Sequence, residues 1–210
     1  MYHFPVSSSE IEPERYAHNW IIIVHHGRMP PSRASPFTKI PNATTSVTTL
    51  SGTERPSVEA DITRPYLCYA FKVDDTVVYM SDVSHIPDDK WAIIEPQGKS
   101  GQLGVLVLDC LRLLPQISHI GIEYAVETAR RVKASRTYLI GMGHEVMHDE
   151  YVTIGEVVGG AVRDEEELSE ITKRGVGLIK KGEEIWVRPG HDGLRVLVER
   201  DSGFVWDETY

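Results

Sequence analysis

Asp82 closes an apolar run, Val78-Tyr79-Met80-Ser81-Asp82. A carboxylate at the tip of a buried strand has left the core and points into whatever site the sheet edge forms. There it can bridge metal ions. A second apolar run, Val105-Leu106-Val107-Leu108, ends on Asp109, which is read as structural. The chain has nine histidines, several at or just after predicted strand ends. His85 and His191 are read as structural. Strand tips on one edge of an α/β sheet converge, which is where such folds build sites. Imidazole nitrogen together with carboxylate oxygen suits zinc, manganese or iron.

One short motif offers different chemistry. His144-Glu145-Val146-Met147-His148 fits H-E-x-x-H, which on a helix sets two histidines one turn apart as zinc ligands beside a glutamate that activates water. Its context disfavours a zinc peptidase. A β-like run, Tyr138-Leu139-Ile140, and Gly141-Met142-Gly143 precede it, and Tyr151 stands where the longer metzincin signature needs glycine.

The elements that must position these groups alternate between strand and helix. Trp20–Val24 is a short β-rich run. Residues 28–64 lose periodicity and are rich in Pro, Ser and Thr, which predicts a mobile insertion near the site mouth. Tyr66–Val73 and Thr76–Met80 read as a hairpin around Asp74-Asp75. Pro87 suits the first turn of a short helix over about Asp88–Glu95. Val105–Leu108 has the continuous apolar character of a strand buried on both faces. Ile122, Ala125, Val126, Ala129 and Val132 recur at helical spacing, with Glu123 early and Arg130, Arg131 and Lys133 late, matching the helix dipole. Thr137–Ile140 is a strand, and about His148–Val158 a helix. Asp164–Ile171 is an acidic, helical surface piece. Glu184–Val187 and Leu194–Val198 are the last two strands. The class is α/β with a mixed sheet.

Composition bounds the function. With 210 residues the chain can bury one sizeable core, and a formal net charge of -9 argues against a nucleic-acid partner held by bulk electrostatics. No apolar run approaches the roughly 18–20 residues of a membrane span. The first residues lack the order of a signal peptide. Cys68 and Cys110 lie in apolar runs and make no disulfide framework, so a reducing, cytoplasmic setting is expected.

Several segments then combine. Val24-His25-His26-Gly27, Pro65-Tyr66-Leu67-Cys68, Tyr79 through Pro87, Leu106-Val107-Leu108-Asp109-Cys110-Leu111-Arg112, Ser118-His119, Arg136-Thr137-Tyr138-Leu139 and His191-Asp192-Gly193-Leu194-Arg195 follow one another. In order and spacing this resembles the C-terminal part of the metallo-β-lactamase superfamily. Within it the chain most resembles the phosphodiesterases that hydrolyse cyclic ribose phosphates in phosphonate breakdown, and their fungal relatives. The resemblance runs from about Trp20 to Val198, apart from the insertion. It implies part of an αββα sandwich with mixed sheets. It also implies that His26 binds the first metal, that Asp82 bridges two, and that His119 protonates the leaving group. Where such enzymes place a last histidine ligand this chain has Gly141, with His144 the nearby substitute. Asp192-Gly193 matches a supporting turn. Taken alone, Asp82 is also readable as a turn cap, and His26, His119 and His144 as ordinary loop histidines.

The superfamily's leading H-x-H-x-D-H motif is absent, and no two histidines here have H-x-H spacing. A metal centre needs about three or four protein ligands, and a two-metal centre more. His26, Asp82 and His144 fall short of that. The expectation is a phosphodiesterase-like metallo-hydrolase, dependent on zinc or manganese, that lacks the first part of its domain. Half of its metal site is missing, so it is inactive or impaired and binds metal weakly or not at all. The alternative is a non-catalytic fragment or partner-binding module. Residues 1–19 are expected to be disordered or atypical, 20–200 to form the domain with its insertion at 28–64, and 201–210 to be a tail. A small phosphate ester is the expected partner in the complete enzyme, with no nucleic acid and no membrane. A sheet edge left exposed would invite homo-oligomerisation.

Overall fold

The structure is a computed structural model, and it describes residues 21–25, 45–52, 66–74, 76–97, 101–161, 163–199 and 204–208. Nine strands and four α-helices are found among them. In chain order they are β1 (Ile21–His25), β2 (Thr45–Gly52), β3 (Tyr66–Val73), β4 (Val77–Met80), α1 (Asp88–Ile94), β5 (Leu103–Asp109), α2 (Ile122–Val132) and β6 (Ala134–Ile140). Then follow α3 (His148–Val158), α4 (Glu170–Leu178), β7 (Val187–Pro189), β8 (Arg195–Glu199) and β9 (Val205–Asp207).

A six-stranded sheet has the order β2-β3-β4-β5-β6-β7, and a three-stranded sheet the order β1-β8-β9. In the larger sheet β2, β3 and β4 pair antiparallel, while β4 through β7 run parallel. Strand β5 explains the layering. All of its residues are buried because alternate side chains face two cores. Leu106 and Leu108 pack with Trp91 of α1, Val126 of α2 and Ile154 of α3. Val105 and Val107 pack with Leu194, Val196 and Val198 around β8. The result is a helix layer, a large mixed sheet and a smaller sheet, the α/β class expected from the sequence.

Helix α2 forms where the apolar spacing placed it, and its inward face carries Ala125, Val126, Ala129 and Val132. Lys133 ends it in the left-handed conformation at φ 50°, donating its backbone N–H to the carbonyl of Ala129. The Arg130 guanidinium then binds the carbonyls of Lys180 and Glu183 at 2.7 and 2.9 Å, fixing the segment that leads into β7.

Three expectations are corrected. The insertion at 28–64 is not wholly irregular: β2 lies inside it and pairs along its whole length with β3. Its remaining residues, and residues 1–19, lie outside the described ones. The acidic piece at 164–171 is a short 3-10 turn, Glu165–Glu167, followed by a helix that starts later. Ser169 caps α4 by accepting the Thr172 backbone N–H at 3.1 Å. The 201–210 segment contains β9, paired antiparallel with β8. Among the described residues no helix is long and apolar enough to cross a membrane.

Candidate functional site

Parallel pairing brings the carboxyl ends of β4, β5, β6 and β7 to one edge. Met80 lies opposite Leu108, Asp109 opposite Ile140, and Leu139 opposite Pro189. The residues just past those ends share that edge.

The β5 end carries the best-defined pair. Asp109 is buried to 2% exposure, and its Oδ2 lies 2.7 Å from His119 Nδ1. The intervening loop folds back to make this contact. Gln116 donates to the His119 carbonyl at 2.8 Å, and Ile122 donates to the Leu113 carbonyl at 3.0 Å. Gly121 permits that return, since a Cβ there would lie 2.7 Å from the Leu113 carbonyl oxygen. Ile120, fully buried beside His119, anchors the loop in the helix-side core. With Nδ1 engaged by a carboxylate, the ring offers Nε2 to a ligand, the arrangement that orients a catalytic imidazole.

Asp82 sits past the β4 end, exposed and in the left-handed conformation at φ 55°. It accepts a hydrogen bond from Ser81 Oγ at 2.9 Å. Its charge is felt across the edge. Burial pushes the Asp109 carboxyl up to about 6; the His119 contact opposes this and Asp82 adds to it. Burial, then the charge of Asp82, raises the Cys68 thiol to about 11. Burial and Asp109 raise the Cys110 thiol to about 12. Both thiols are therefore poor nucleophiles at neutral pH.

Gly141 follows the β6 end with φ +70°, and a Cβ there would lie 2.7 Å from Asp109 Oδ1. The aspartate thus presses against bare backbone on one side and His119 on the other. The β6–α3 connection is tied to the β5 end as well. Gly143 donates to the Leu111 carbonyl at 2.8 Å, and Arg112 pairs with Glu145 at 3.2 Å.

The sequence-predicted residues divide accordingly. Asp82 and His119 follow the ends of neighbouring strands. His144 lies in an exposed turn on the β6–α3 connection, lining a separate open cavity. His26 lies outside the described residues. The H-E-x-x-H run is not one helix: His144 is in a turn, Met147 is extended at φ -70° and ψ 152°, and His148 opens α3. Its two histidines therefore do not share a helical face, and Glu145 is engaged by Arg112. Among the described residues no group of three or more His, Cys, Asp or Glu side chains could hold a metal. Asp109, structural by its sequence context, ends an apolar strand just as Asp82 does. The structure adds it to the site through its hydrogen bond to His119. A cavity of about 920 Å³, lined by Glu156, Arg163, Glu184 and Trp186 among others, lies beside the start of β7, away from this edge.

The fold and edge together define a layered α/β protein with carboxylate and imidazole groups at the carboxyl ends of parallel strands. Among solved structures, the chain is similar to a new diphosphatase from the PhnP family, with 21% identity and a TM-score of 0.39, over 61% of this chain and 37% of that one. It is also similar to the metallo-beta-lactamase fold protein YhfI from Bacillus subtilis, with 18% identity and a TM-score of 0.42, over 78% of this chain and 50% of that one. The chain thus spans half or less of the length of these two proteins. The likeness is confined to fold, and no residue role is carried across from it. No protein-family model and no curated protein matches the chain.

Proposed function

We propose that the chain is a hydrolase of the metallo-β-lactamase fold, phosphodiesterase-like, with its site at the carboxyl ends of β4 and β5. The observation that supports this reading is the Asp109–His119 hydrogen bond of 2.7 Å beside the strand end that carries Asp82. In this reading water attacks phosphorus while His119, protonated on both ring nitrogens, hands its Nε2 proton to the leaving oxygen of a small phosphate ester as that P–O bond breaks, and the proton shed by the attacking water restores Nε2–H. Asp109 accepts from Nδ1–H and holds the ring in this orientation. It is a positioning residue, since it lies behind the imidazole and out of solvent. Zinc or manganese is the cofactor the family resemblance brings with it, and His26, Asp82 and His144 are the residues assigned to it. Among the described residues no such group is assembled, and His26 lies outside them; what the described residues supply is proton transfer by His119 and charge at the edge.

The test is hydrolysis of bis-p-nitrophenyl phosphate by the purified chain, alongside its metal content. Turnover that falls about 100-fold or more in His119→Gln supports the reading. No turnover with near-zero metal would replace it with a non-catalytic binding role.

A further inference from the structure

On the β6–α3 connection, which follows Gly141, is an open cavity of about 330 Å³, lined by Met142, Gly143, His144, Val146, Met147 and His148. We propose that it takes a planar aromatic or heteroaromatic group, the organic part of an ester whose phosphate lies at His119. This rests on the hydrolase reading above.

The position is set by contacts already described. The β6–α3 connection that walls the cavity is held to the β5 end by the Gly143–Leu111 hydrogen bond of 2.8 Å and the Arg112–Glu145 pair of 3.2 Å. Gly141, at the start of that connection, touches the Asp109 carboxylate without an intervening side chain. The size is at the lower end for small-molecule cavities.

The lining selects the occupant. It contains two thioethers, one aliphatic side chain and two imidazoles, and no carboxylate, lysine or arginine. That set does not match an anion or a cation. It matches a flat ring, which thioether sulfur and imidazole faces contact favourably. Met142 and Val146 pack against the helix-side core and form a floor. The His148 ring stands edge-to-face with His191, their centroids 6.3 Å apart, and forms a wall. Met147 is 71% exposed on the rim, where it contributes little to the core. A flexible apolar side chain so placed is suited to closing over a ligand. Among the described residues no third donor joins the two imidazoles.

The experiment uses the full chain with carbon-13 methyl-labelled methionine, titrated with p-nitrophenyl phosphate and, separately, with inorganic phosphate. The Met142 and Met147 methyl signals should move with the aryl ester and not with phosphate. Met80, completely buried in the helix-side core, is the internal reference that should stay still. Met147→Ser, a change at an exposed position, should weaken aryl-ester binding roughly 2- to 10-fold. The proposal is overturned if both methyls stay still, if phosphate alone moves them equally, or if the variant binds as tightly as the original. Methyl shifts in a protein that hydrolyses no phosphate ester would support the cavity assignment and overturn the hydrolase reading. Turnover of aryl esters with no methyl shift would do the reverse.

Discussion

Asp109 reaches His119 across a loop that returns on itself, placing Oδ2 2.7 Å from Nδ1 with the carboxylate almost wholly out of water. A carboxylate so placed keeps a proton on Nδ1 and frees Nε2 for a ligand. Asp109→Asn should therefore lower kcat by about 100-fold or more while leaving KM within a few-fold, because the amide neither holds Nδ1–H in place nor stabilises the protonated ring. Nitrogen-15 NMR of the ring reports the tautomer directly: Nδ1–H dominates in the original protein and loses that dominance in the variant. An unchanged ring spectrum in the variant would refute the positioning role.

The same aspartate makes stability depend on pH in an unusual direction. Burial raises its folded pKa to about 6, above the ordinary aspartate value of an unfolded chain. Between about pH 4 and 6 the folded state therefore binds more protons than the unfolded one. This group's contribution is full below that window and falls as pH rises through it. Asp109→Asn removes the fall, so the variant should gain on the original by roughly 1–2 kcal/mol from pH 4 to pH 7, discounted for solvent at the strand end. Urea midpoints of both proteins at several pH values would measure it; parallel curves would contradict it.

Gly141 and Gly193 separate two costs that glycine hides. Both have positive φ, +70° and +84°. A Cβ at Gly193 meets nothing within 4 Å, whereas one at Gly141 would lie 2.7 Å from Asp109 Oδ1. Gly193→Ala should cost about 1 kcal/mol in backbone strain alone. Gly141→Ala should cost more, and should also turn the Asp109 carboxylate away from His119. Thermal unfolding of the pair, with turnover assayed alongside, checks this. Equal stability losses with unchanged activity would show that the close approach does not matter.

These residues also mark what the sequence could tell. Strands such as β5 were legible because a continuous apolar run fits a position between two cores, and α2 because its apolar spacing is helical. Strand β2, Thr45-Ser46-Val47-Thr48-Thr49-Leu50-Ser51-Gly52, reads like a loop, and only its pairing with β3 makes it a strand. The start of α4 is obscured because acidic residues lie on both sides of Leu168-Ser169, and the cap is recognisable only from its bond to Thr172. Asp82 and His119 were visible as candidates by strand-end position and resemblance. The role of Asp109 depends on a loop conformation that no local pattern encodes.

Strand β9 was likewise hidden, and its link to the large sheet gives the last prediction. Tyr138 of β6 is fully buried, and its hydroxyl donates to Asp207 Oδ2 of β9 at 2.7 Å. Asp207 is itself buried. The bond therefore joins the two sheets between residues distant in sequence. Replacing tyrosine by phenylalanine keeps the ring, including its edge contact with Trp186 at 5.2 Å, and removes one donor from a buried carboxylate. A hydrogen bond to a charged group contributes about 1.5–3 kcal/mol, so Tyr138→Phe should lower unfolding free energy by that amount in urea titration. Adding Asp207→Asn should recover part of the loss, because a neutral amide is cheaper to leave without that donor. If the double variant is as unstable as the sum of the two single ones, the two residues act independently and this bond does not tie β9 to the large sheet.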